Sequence, residues 1–240
     1  IHFIDLSYRY KDSNVLALNK INLAVKKNTV IGIVGHVGSG KSTILKILGG
    51  ILNPSDGNLL FDNLSYQNFN WAKFRSKISY VSQDVFLFSD SIRNNIAFGV
   101  DSVTDSDLVN ITKDLCFLDE IKLFKNGFDT YIGEGGVTLS GGQKQRVSLA
   151  RALIRKPKFL LLDDALSNVD SSTEIKIMNF LKTNFKETTI ILTSNRLSVL
   201  NYCSKIFVLK SGKLVQEGGH VDLIEQEGEY RKLFCNQMRL

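Results

Sequence analysis

A glycine-rich loop between two apolar segments constrains this chain more than any other feature of its sequence. Residues 35–42 match the pattern G-x-x-x-x-G-K-[ST]. The continuous apolar run at 30–34 predicts a buried strand before the loop, and the apolar spacing at 42–48 predicts a buried helix after it. A strand, a glycine loop and a helix in this order form the usual layout of a phosphate-binding site.

The residue types of this loop suit a nucleoside triphosphate bound with Mg²⁺. Backbone N–H groups of such a loop and of the helix N-terminus face anionic oxygens. Lys41 would reach the β- and γ-phosphates, and the Ser42 hydroxyl would ligate Mg²⁺. A turn that merely caps the helix is the alternative, and the flanking pattern disfavours it. The residues expected to bind the nucleotide here are Gly35, His36, Val37, Gly38, Ser39, Gly40, Lys41, Ser42 and Thr43.

A second segment supplies the acidic half of such a site. The apolar run at 159–162 predicts a buried strand, and Asp163 follows it directly. A carboxylate at the end of that strand would hold Mg²⁺ through water. The metal site predicted from the sequence therefore includes Ser42 and Asp163.

The remaining pattern predicts an α/β fold. Buried strands alternate with helical segments, which indicates a parallel sheet. The loosely alternating segments 1–10 and 21–25 predict an antiparallel β lobe, and the amphipathic spacing at 92–128 predicts a separate helical lobe. The further buried strands are expected at 78–81, 189–192 and 206–209.

Composition excludes several classes of protein. The chain has 240 residues and 43% hydrophobic content, enough for a full core and unlike a disordered segment. A net charge of +6 is modest for this length and does not predict a nucleic-acid partner. No run reaches the roughly 18 apolar residues of a membrane span. The sequence opens at Ile1 rather than Met, so we expect a piece of a longer polypeptide.

Between the two halves of the predicted site lies the sequence LSGGQ at 139–143, followed by Lys144, Gln145 and Arg146. Here the chain resembles the ATP-binding cassette family, whose signature this is. The resemblance implies a RecA-like parallel-sheet α/β core with an antiparallel β lobe and an α-helical lobe that carries the signature. It covers residues 1–240 as one cassette. The expected divisions are about 1–30 and 51–65 for the β lobe, about 86–144 for the helical lobe, and about 31–50, 66–85 and 145–240 for the core.

The resemblance also implies a partner. Cassettes of this family pair head to tail, and the signature of one closes over the ATP held by the other. Ser140, Gly141, Gly142 and Gln143 would then contact the partner's nucleotide at a helix N-terminus. Ser140 is expected to cap that helix as well.

Two further residues and one loop carry over from the family. Tyr10 resembles the aromatic residue that stacks on adenine, although a lone tyrosine in a strand is more often part of the core. Gln83 resembles the glutamine that senses Mg²⁺ and links the nucleotide site to transmembrane domains, although a lone glutamine in a loop is usually only solvated. Residues 167–170 resemble the loop through which paired cassettes communicate.

Other segments resemble those of exporters. Residues 131–136 look like a segment found ahead of the signature in exporters, and residues 212–220 with Tyr230 and Leu233 also match the exporter type. The resemblance implies transmembrane domains fused at the N-terminal side and a place at the cytoplasmic face of a membrane. The apolar residues 86–88 would offer those domains a groove, or else belong to the ordinary core.

Two positions depart from the family pattern. Asp164 stands where an active cassette has Glu, and Asn195 stands where it has His. Shortening the carboxylate by one methylene withdraws it by roughly 1 Å, which can cost about 10²-fold in rate. We expect a degenerate site in this chain and an intact signature that serves a partner, as in one half of a heterodimeric exporter. The catalytic residues implied are Asp164, Gln83, Asn195 and Ser140.

The expected activity is ATP hydrolysis coupled to transport, low in the isolated domain. Alternatives are a homodimeric exporter that hydrolyses ATP slowly through Asp164, a regulatory cassette of a channel, and a non-transport cassette that assembles on ATP binding. The transported compound is not encoded here, because its contacts would lie in membrane domains.

Overall fold

The structure is a computed structural model, which describes residues 1–133 and 136–235. The strands are β1 (His2–Arg9), β2 (Leu16–Ala24), β3 (Val30–Val34), β4 (Asp56–Phe61), β5 (Leu64–Ser65), β6 (Ile78–Val81), β7 (Asp90–Ser91), β8 (Tyr131–Ile132), β9 (Phe159–Asp163), β10 (Thr189–Thr193), β11 (Lys205–Lys210) and β12 (Lys213–Gly218). The α-helices are α1 (Lys41–Leu48), α2 (Trp71–Arg75), α3 (Ile92–Ala97), α4 (Asp105–Asp114), α5 (Leu118–Leu123), α6 (Gly141–Ile154), α7 (Ser171–Asn184), α8 (Leu197–Leu200), α9 (His220–Glu225) and α10 (Glu229–Phe234).

The main sheet has six strands in the order β12-β11-β3-β10-β9-β6. Five of them are parallel, as the alternation of strands and helices predicts. The exception is β12, which pairs antiparallel with β11. Ser211 and Gly212 between them both have positive φ, of 47° and 74°. Two such residues form the tight turn that reverses a chain into a hairpin, and this turn places an antiparallel strand at the edge of the sheet.

A second sheet confirms the predicted antiparallel β structure at the start of the chain. Its four strands run in the order β2-β1-β4-β5, and β1 pairs antiparallel with both β2 and β4. The inward residues of these strands, such as Leu6, Leu18 and Leu59, are fully buried. They share one hydrophobic cluster with Ile44 and Leu45 of α1, so this sheet packs beside the phosphate-loop helix.

Strand alternation divides the core across the main sheet. In β9, Leu161 joins the cluster that contains α1, whereas Leu160 and Leu162 join a second cluster. That second cluster contains Val147 of α6, Ile177 of α7 and buried residues of α3 to α5. The main sheet is therefore covered on both faces, which is why its strands read as continuous apolar runs.

The predicted helical lobe contains α3, α4 and α5, which belong to the same hydrophobic cluster as α6. The division at about 1–30, 31–50, 51–65, 66–85, 86–144 and 145–240 stays a prediction. Across the described ranges, every helix is too short or too polar to cross a membrane.

Candidate functional site

The carboxyl ends of four parallel strands carry the predicted site residues. β3 ends at Val34 before the phosphate loop, and β9 ends at Asp163. The register pairs Val81 of β6 with Leu162 of β9, and Thr193 of β10 with Asp163. Parallel strands end at one edge of their sheet, and ligands of open α/β sheets bind there. The loops with Gln83, Asp164 and Asn195 therefore leave the same edge as the phosphate loop.

The phosphate loop folds into a tight cradle that a larger first residue would prevent. Gly35 has a φ of 151°, and a Cβ there would lie 2.3 Å from the Leu209 carbonyl oxygen and 2.6 Å from Ser39 Oγ. Only glycine fits so close to a neighbouring backbone. Ser39 Oγ is buried and has no hydrogen-bond partner among the described residues. An unpaired buried hydroxyl in this cradle suits a loop whose polar groups bind an anion.

Lys41 lies at the N-terminus of α1 and folds back over the loop. Its Nζ donates hydrogen bonds to the carbonyl oxygens of Gly35 at 2.7 Å and His36 at 3.0 Å. Burial lowers the pKa of Lys41, while the charges of Asp163 and Asp164 act in the opposite direction. The ammonium group is thus held inside the ring of the loop by weak acceptors, which phosphate oxygens would replace with a stronger charged interaction.

Asp163 joins the two halves of the site. Its Oδ1 accepts hydrogen bonds from Ser42 Oγ at 3.0 Å and Thr193 Oγ1 at 2.9 Å, and its Oδ2 accepts one from the Tyr80 hydroxyl at 3.0 Å. Burial and the adjacent carboxylate raise the pKa of Tyr80, so this hydroxyl stays a donor. A serine hydroxyl and a carboxylate are hard oxygen ligands, the chemistry that Mg²⁺ prefers. The residues predicted to hold Mg²⁺, Ser42 and Asp163, therefore lie together and fit the ion.

Sequence reasoning missed Tyr80 and Thr193. Both belong to buried strands in which a tyrosine or threonine is an ordinary residue. The only signal that could have found them is the strand order, which sets β6 and β10 on either side of β9.

Asp164 has a left-handed backbone conformation and a partly buried side chain. Its φ is 49°, a left-handed value that is uncommon outside glycine, and its N–H donates to Thr193 Oγ1 at 2.8 Å. Burial raises the pKa of its carboxyl group, with the charge of Asp163 acting in the same direction. Gln83 and Asn195 are both exposed. These three residues lie at the expected edge, and their catalytic roles stay predictions.

Tyr10 follows β1 and is 39% exposed, so it is not a core residue. Its ring packs edge-on against Tyr8, and its hydroxyl shares a 3.0 Å hydrogen bond with Thr43 Oγ1 on α1. The ring is therefore tied to the helix that follows the phosphate loop. An exposed ring in this position is available for stacking, which stays a prediction.

The signature forms the N-terminus of α6, the helix of 14 residues from Gly141. Ser140 and Gln143 form a reciprocal capping box: the Gln143 N–H donates to Ser140 Oγ at 3.3 Å, and the Ser140 N–H donates to Gln143 Oε1 at 2.9 Å. Glu120 accepts hydrogen bonds from Gln143 Nε2 at 2.8 Å and Arg146 at 2.6 Å, and so orients both.

The start of the signature helix is exposed at the surface of the chain. Ser140 and Gly141 are exposed, and the hydrogen bonds of Ser140 and Gln143 described above go to each other and to Glu120. A Cβ at Gly142 would lie 2.7 Å from the Asn168 carbonyl oxygen. Gly142 therefore permits the close approach of the loop 167–170 to the first turn of α6.

Segment 131–136 is described only in part, because Glu134 and Gly135 lie outside the described residues. Its first two residues form β8, which pairs with β7, and the Tyr131 hydroxyl donates to the Ser89 carbonyl oxygen at 2.7 Å. Beside it, residues 85–88 line a groove together with Ile132, Val137 and Leu139. Phe86 is 67% exposed, whereas Leu87 is partly buried and packs against the hydrophobic core, so the segment is divided between the groove and the core.

Comparison with known proteins shows which family this chain resembles. A family profile described as "ABC transporter" matches residues 18–167. An "ATP-dependent lipid A-core flippase" of Desulfotalea psychrophila is 38% identical over 237 residues, which cover 99% of this chain and 41% of that protein. The "Multidrug resistance-like ATP-binding protein MdlA" of Escherichia coli is 39% identical over 230 residues, covering 96% of this chain and 39% of that protein.

A solved structure agrees with these relatives. The chain superposes on the "Structure of a bacterial Atm1-family ABC exporter with ATP bound" with a TM-score of 0.93, at 33% identity, over 99% of this chain and 42% of that one. The chain thus spans about two fifths of the length of these three proteins. The alignments cover nearly every residue of this chain, whereas more than half of each relative has no counterpart in the given sequence.

Proposed function

Because the chain belongs to the ABC transporter family, we propose that it is the ATP-binding cassette of an exporter, coupling ATP binding and hydrolysis to transport through membrane domains. The observation that carries this proposal is the joining of Lys41, Ser42 and Asp163 at one sheet edge, while an intact signature faces outward. Relatives named as a flippase, a multidrug resistance-like protein and an exporter support the export of a substrate.

The phosphate loop and side chains from neighbouring segments would bind ATP together with Mg²⁺. Lys41 would exchange its two carbonyl acceptors for phosphate oxygens, and the N–H groups at the start of α1 would bind the same phosphates. The exposed Tyr10 ring would stack on the adenine. Ser42 and Asp163 would hold Mg²⁺, and the ion would supply charge neutralisation at the β- and γ-phosphates. Gln83 would complete that site from the loop after β6.

The chain's own site is degenerate in this proposal. Asp164 directly follows the Mg²⁺-binding Asp163, and its side chain is one methylene shorter than Glu. Asn195 offers an amide donor where a charged imidazole would reach further. Both residues leave the binding elements intact and weaken the alignment of the attacking water. The chain would therefore bind ATP and hydrolyse it slowly on its own.

The signature would complete the nucleotide site of a second cassette, one with a different sequence, paired head to tail. The capping box and Glu120 fix the first turn of α6 with Ser140 and Gly141 exposed. A helix N-terminus with free N–H groups stabilises developing phosphoryl charge. The degenerate chain would thus contribute to catalysis across the interface.

Transmembrane domains are the second partner, and they would place the cassette at the cytoplasmic face of a membrane. The groove beside Phe86 is apolar and exposed, as a docking surface for an intracellular loop would be. Arg151 of α6 donates to the Phe86 carbonyl oxygen at 3.0 Å and to Asn95 Oδ1 at 2.8 Å. This contact joins the groove to the signature helix. The sheet edge with its phosphate loop gives no reason to expect a nucleic-acid partner.

Two variants test the division of labour between the two cassettes. Gly141→Asp places a carboxylate at the signature and should lower ATP hydrolysis of the assembled transporter by at least about 10²-fold, because the added charge repels the developing phosphoryl charge that the helix N-terminus would stabilise. Lys41→Ala should remove ATP from this chain's own site while turnover falls only in part. The measurements are steady-state ATPase activity and bound nucleotide in the reconstituted complex.

Gly127→Asp is the matched control. Gly127 also lies in the segment predicted as the helical lobe and has a φ of 52°, which aspartate tolerates better than most residues. A Cβ added there would have no atom within 4 Å. This variant should leave turnover near the wild-type value. If Lys41→Ala abolishes turnover as fully as Gly141→Asp, hydrolysis takes place at this chain's site through Asp164, as in a homodimer. If Gly141→Asp leaves turnover intact, the signature serves no ATP site.

A further inference from the structure

The loop 167–170 is held by two hydrogen bonds from the Arg196 side chain, which no sequence motif predicted. Arg196 lies after β10, and its guanidinium donates to the Ser167 carbonyl oxygen at 2.6 Å and the Val169 carbonyl oxygen at 2.7 Å. Two nitrogens thus bind two carbonyl oxygens of one loop. Arginine presents several donors in one rigid plane, so it fixes the spacing between the two carbonyl oxygens. A lysine ammonium group, which acts as a point charge, would not.

The same guanidinium is fixed by a buried carboxylate. Glu174 of α7 is 1% exposed and lies 3.1 Å from Arg196 Nη1. Its other oxygen accepts a 2.7 Å hydrogen bond from Ser198 Oγ, the residue two positions after Arg196. A carboxylate this deeply buried needs a charged partner, so Glu174 determines where the guanidinium lies.

The loop is also held from the side of the signature. Gln145 of α6 is 1% exposed; its Nε2 donates to Ser167 Oγ at 3.0 Å, and its Oε1 accepts from the Asn168 N–H at 2.9 Å. The loop 167–170 therefore lies between two anchoring side chains, one on the signature helix and one on the loop that follows β10. Through Thr193, the end of β10 also contacts Asp163 and the N–H of Asp164.

We propose that Arg196 is a positioning residue for ATP hydrolysis: it holds the Ser167 and Val169 carbonyl groups so that the loop 167–170, the signature helix and the end of β10 keep one arrangement. The inference rests on the proposed function and deepens it, because the loop joins the chain's own phosphate site to the signature offered to a partner. Arg196 touches neither nucleotide nor water in this role. It acts through the loop.

Arg196→Lys is the main test, in the assembled transporter. Lysine keeps the charge beside Glu174 but cannot bind two carbonyl oxygens through one plane of donors. We expect kcat for ATP hydrolysis to fall about 10- to 100-fold, the cost of a misplacement of about 1 Å. KM for ATP and the thermal midpoint should stay close to wild type, because the phosphate loop and the ion pair with Glu174 both persist.

A second variant separates positioning from stability. Arg196→Met combined with Glu174→Gln removes both charges, so that no uncompensated carboxylate is left buried at position 174. We expect a thermal midpoint near the wild-type value with kcat as low as in Arg196→Lys. Lys158→Met is the control: it breaks an exposed ion pair with Glu187, at 3.3 Å, at the opposite edge of the sheet, and should leave kcat unchanged.

The outcomes decide between this inference and the proposed function. A wild-type transporter that hydrolyses ATP, with Arg196→Lys equal to it in kcat, overturns the positioning role alone. Recovery of kcat together with stability in the double variant also overturns it, since Arg196 would then only neutralise Glu174. A wild-type transporter that hydrolyses no ATP overturns the proposed function and this inference with it.

Discussion

Replacing the signature serine distinguishes a helix cap from a contact with a partner's nucleotide, because the chain contains a second cap of nearly the same geometry. Ser140 Oγ accepts from the Gln143 N–H at 3.3 Å, and Thr104 Oγ1 accepts from the Asp107 N–H at 3.2 Å. Both residues are exposed, and both belong to capping boxes at the start of α6 and α4. Alanine at either position removes one cap, and at Thr104 it also removes a hydrogen bond from the hydroxyl to Asp107 Oδ2 at 2.6 Å.

The expected effect on stability is the same for the two variants. Loss of a serine or threonine cap costs about 1 kcal/mol, and 1 kcal/mol lowers the thermal midpoint of a domain of this size by about 2–4 °C. ATP hydrolysis should separate them. Ser140→Ala should lower the turnover of the assembled transporter by about 10²- to 10³-fold, the value of one preorganised donor to transition-state charge.

The assay pairs a thermal melt with steady-state ATPase activity at saturating Mg-ATP. Thr104→Ala should show the lowered midpoint with near-normal turnover. Equal turnover in the two alanine variants would refute the reasoning and reduce Ser140 to an N-cap. A much larger fall in midpoint for Ser140→Ala would also refute it, because lost turnover could then follow from unfolding of α6.

Further changes test the chain's own nucleotide site and its pH response. Tyr10→Ala should weaken ATP binding by about 1–2 kcal/mol, measured by calorimetry, through lost stacking; unchanged affinity would mean that the ring does not meet adenine. The double change Asp164→Glu with Asn195→His should raise hydrolysis at this site, by up to about 10²-fold in single-turnover assays, and a flat rate would place the limitation elsewhere. Burial lowers the pKa of His220, which shares a 2.7 Å hydrogen bond with the Tyr230 hydroxyl. Protonation therefore favours the unfolded chain, and the thermal midpoint should fall as the pH drops below about 6.5, less so in His220→Gln. Equal slopes would show that His220 does not titrate with unfolding.

The sequence predicted the elements of the main sheet well, because buried parallel strands and amphipathic helices leave strong patterns. The strands at Val30–Val34 and Ile78–Val81 begin and end where the apolar runs do. The hairpin of β11 and β12 was missed. β12 alternates between exposed and half-buried residues, and its sequence lacks the apolar run that marks the other strands of this sheet.

The site was predictable only where chemistry leaves a motif. Lys41, Ser42 and Asp163 follow recognisable patterns, and the structure joins them. Tyr80 and Arg196 depend on which strands and loops become neighbours, and local sequence does not encode that. Polar residues whose partners lie far along the chain, such as Glu174 and Gln145, are visible only after the chain is folded.

The strand order has a consequence for how the protein is made. β10, which ends at Thr193, lies between β3 and β9 in the finished sheet, so these two earlier strands cannot be joined until β10 has left the ribosome. Contacts this distant along the chain form slowly and late. A nascent chain stopped before residue 189 would carry the phosphate loop and Asp163 but lack the strand that holds them side by side. ATP capture during synthesis should therefore begin abruptly, once the strand at 189–193 emerges.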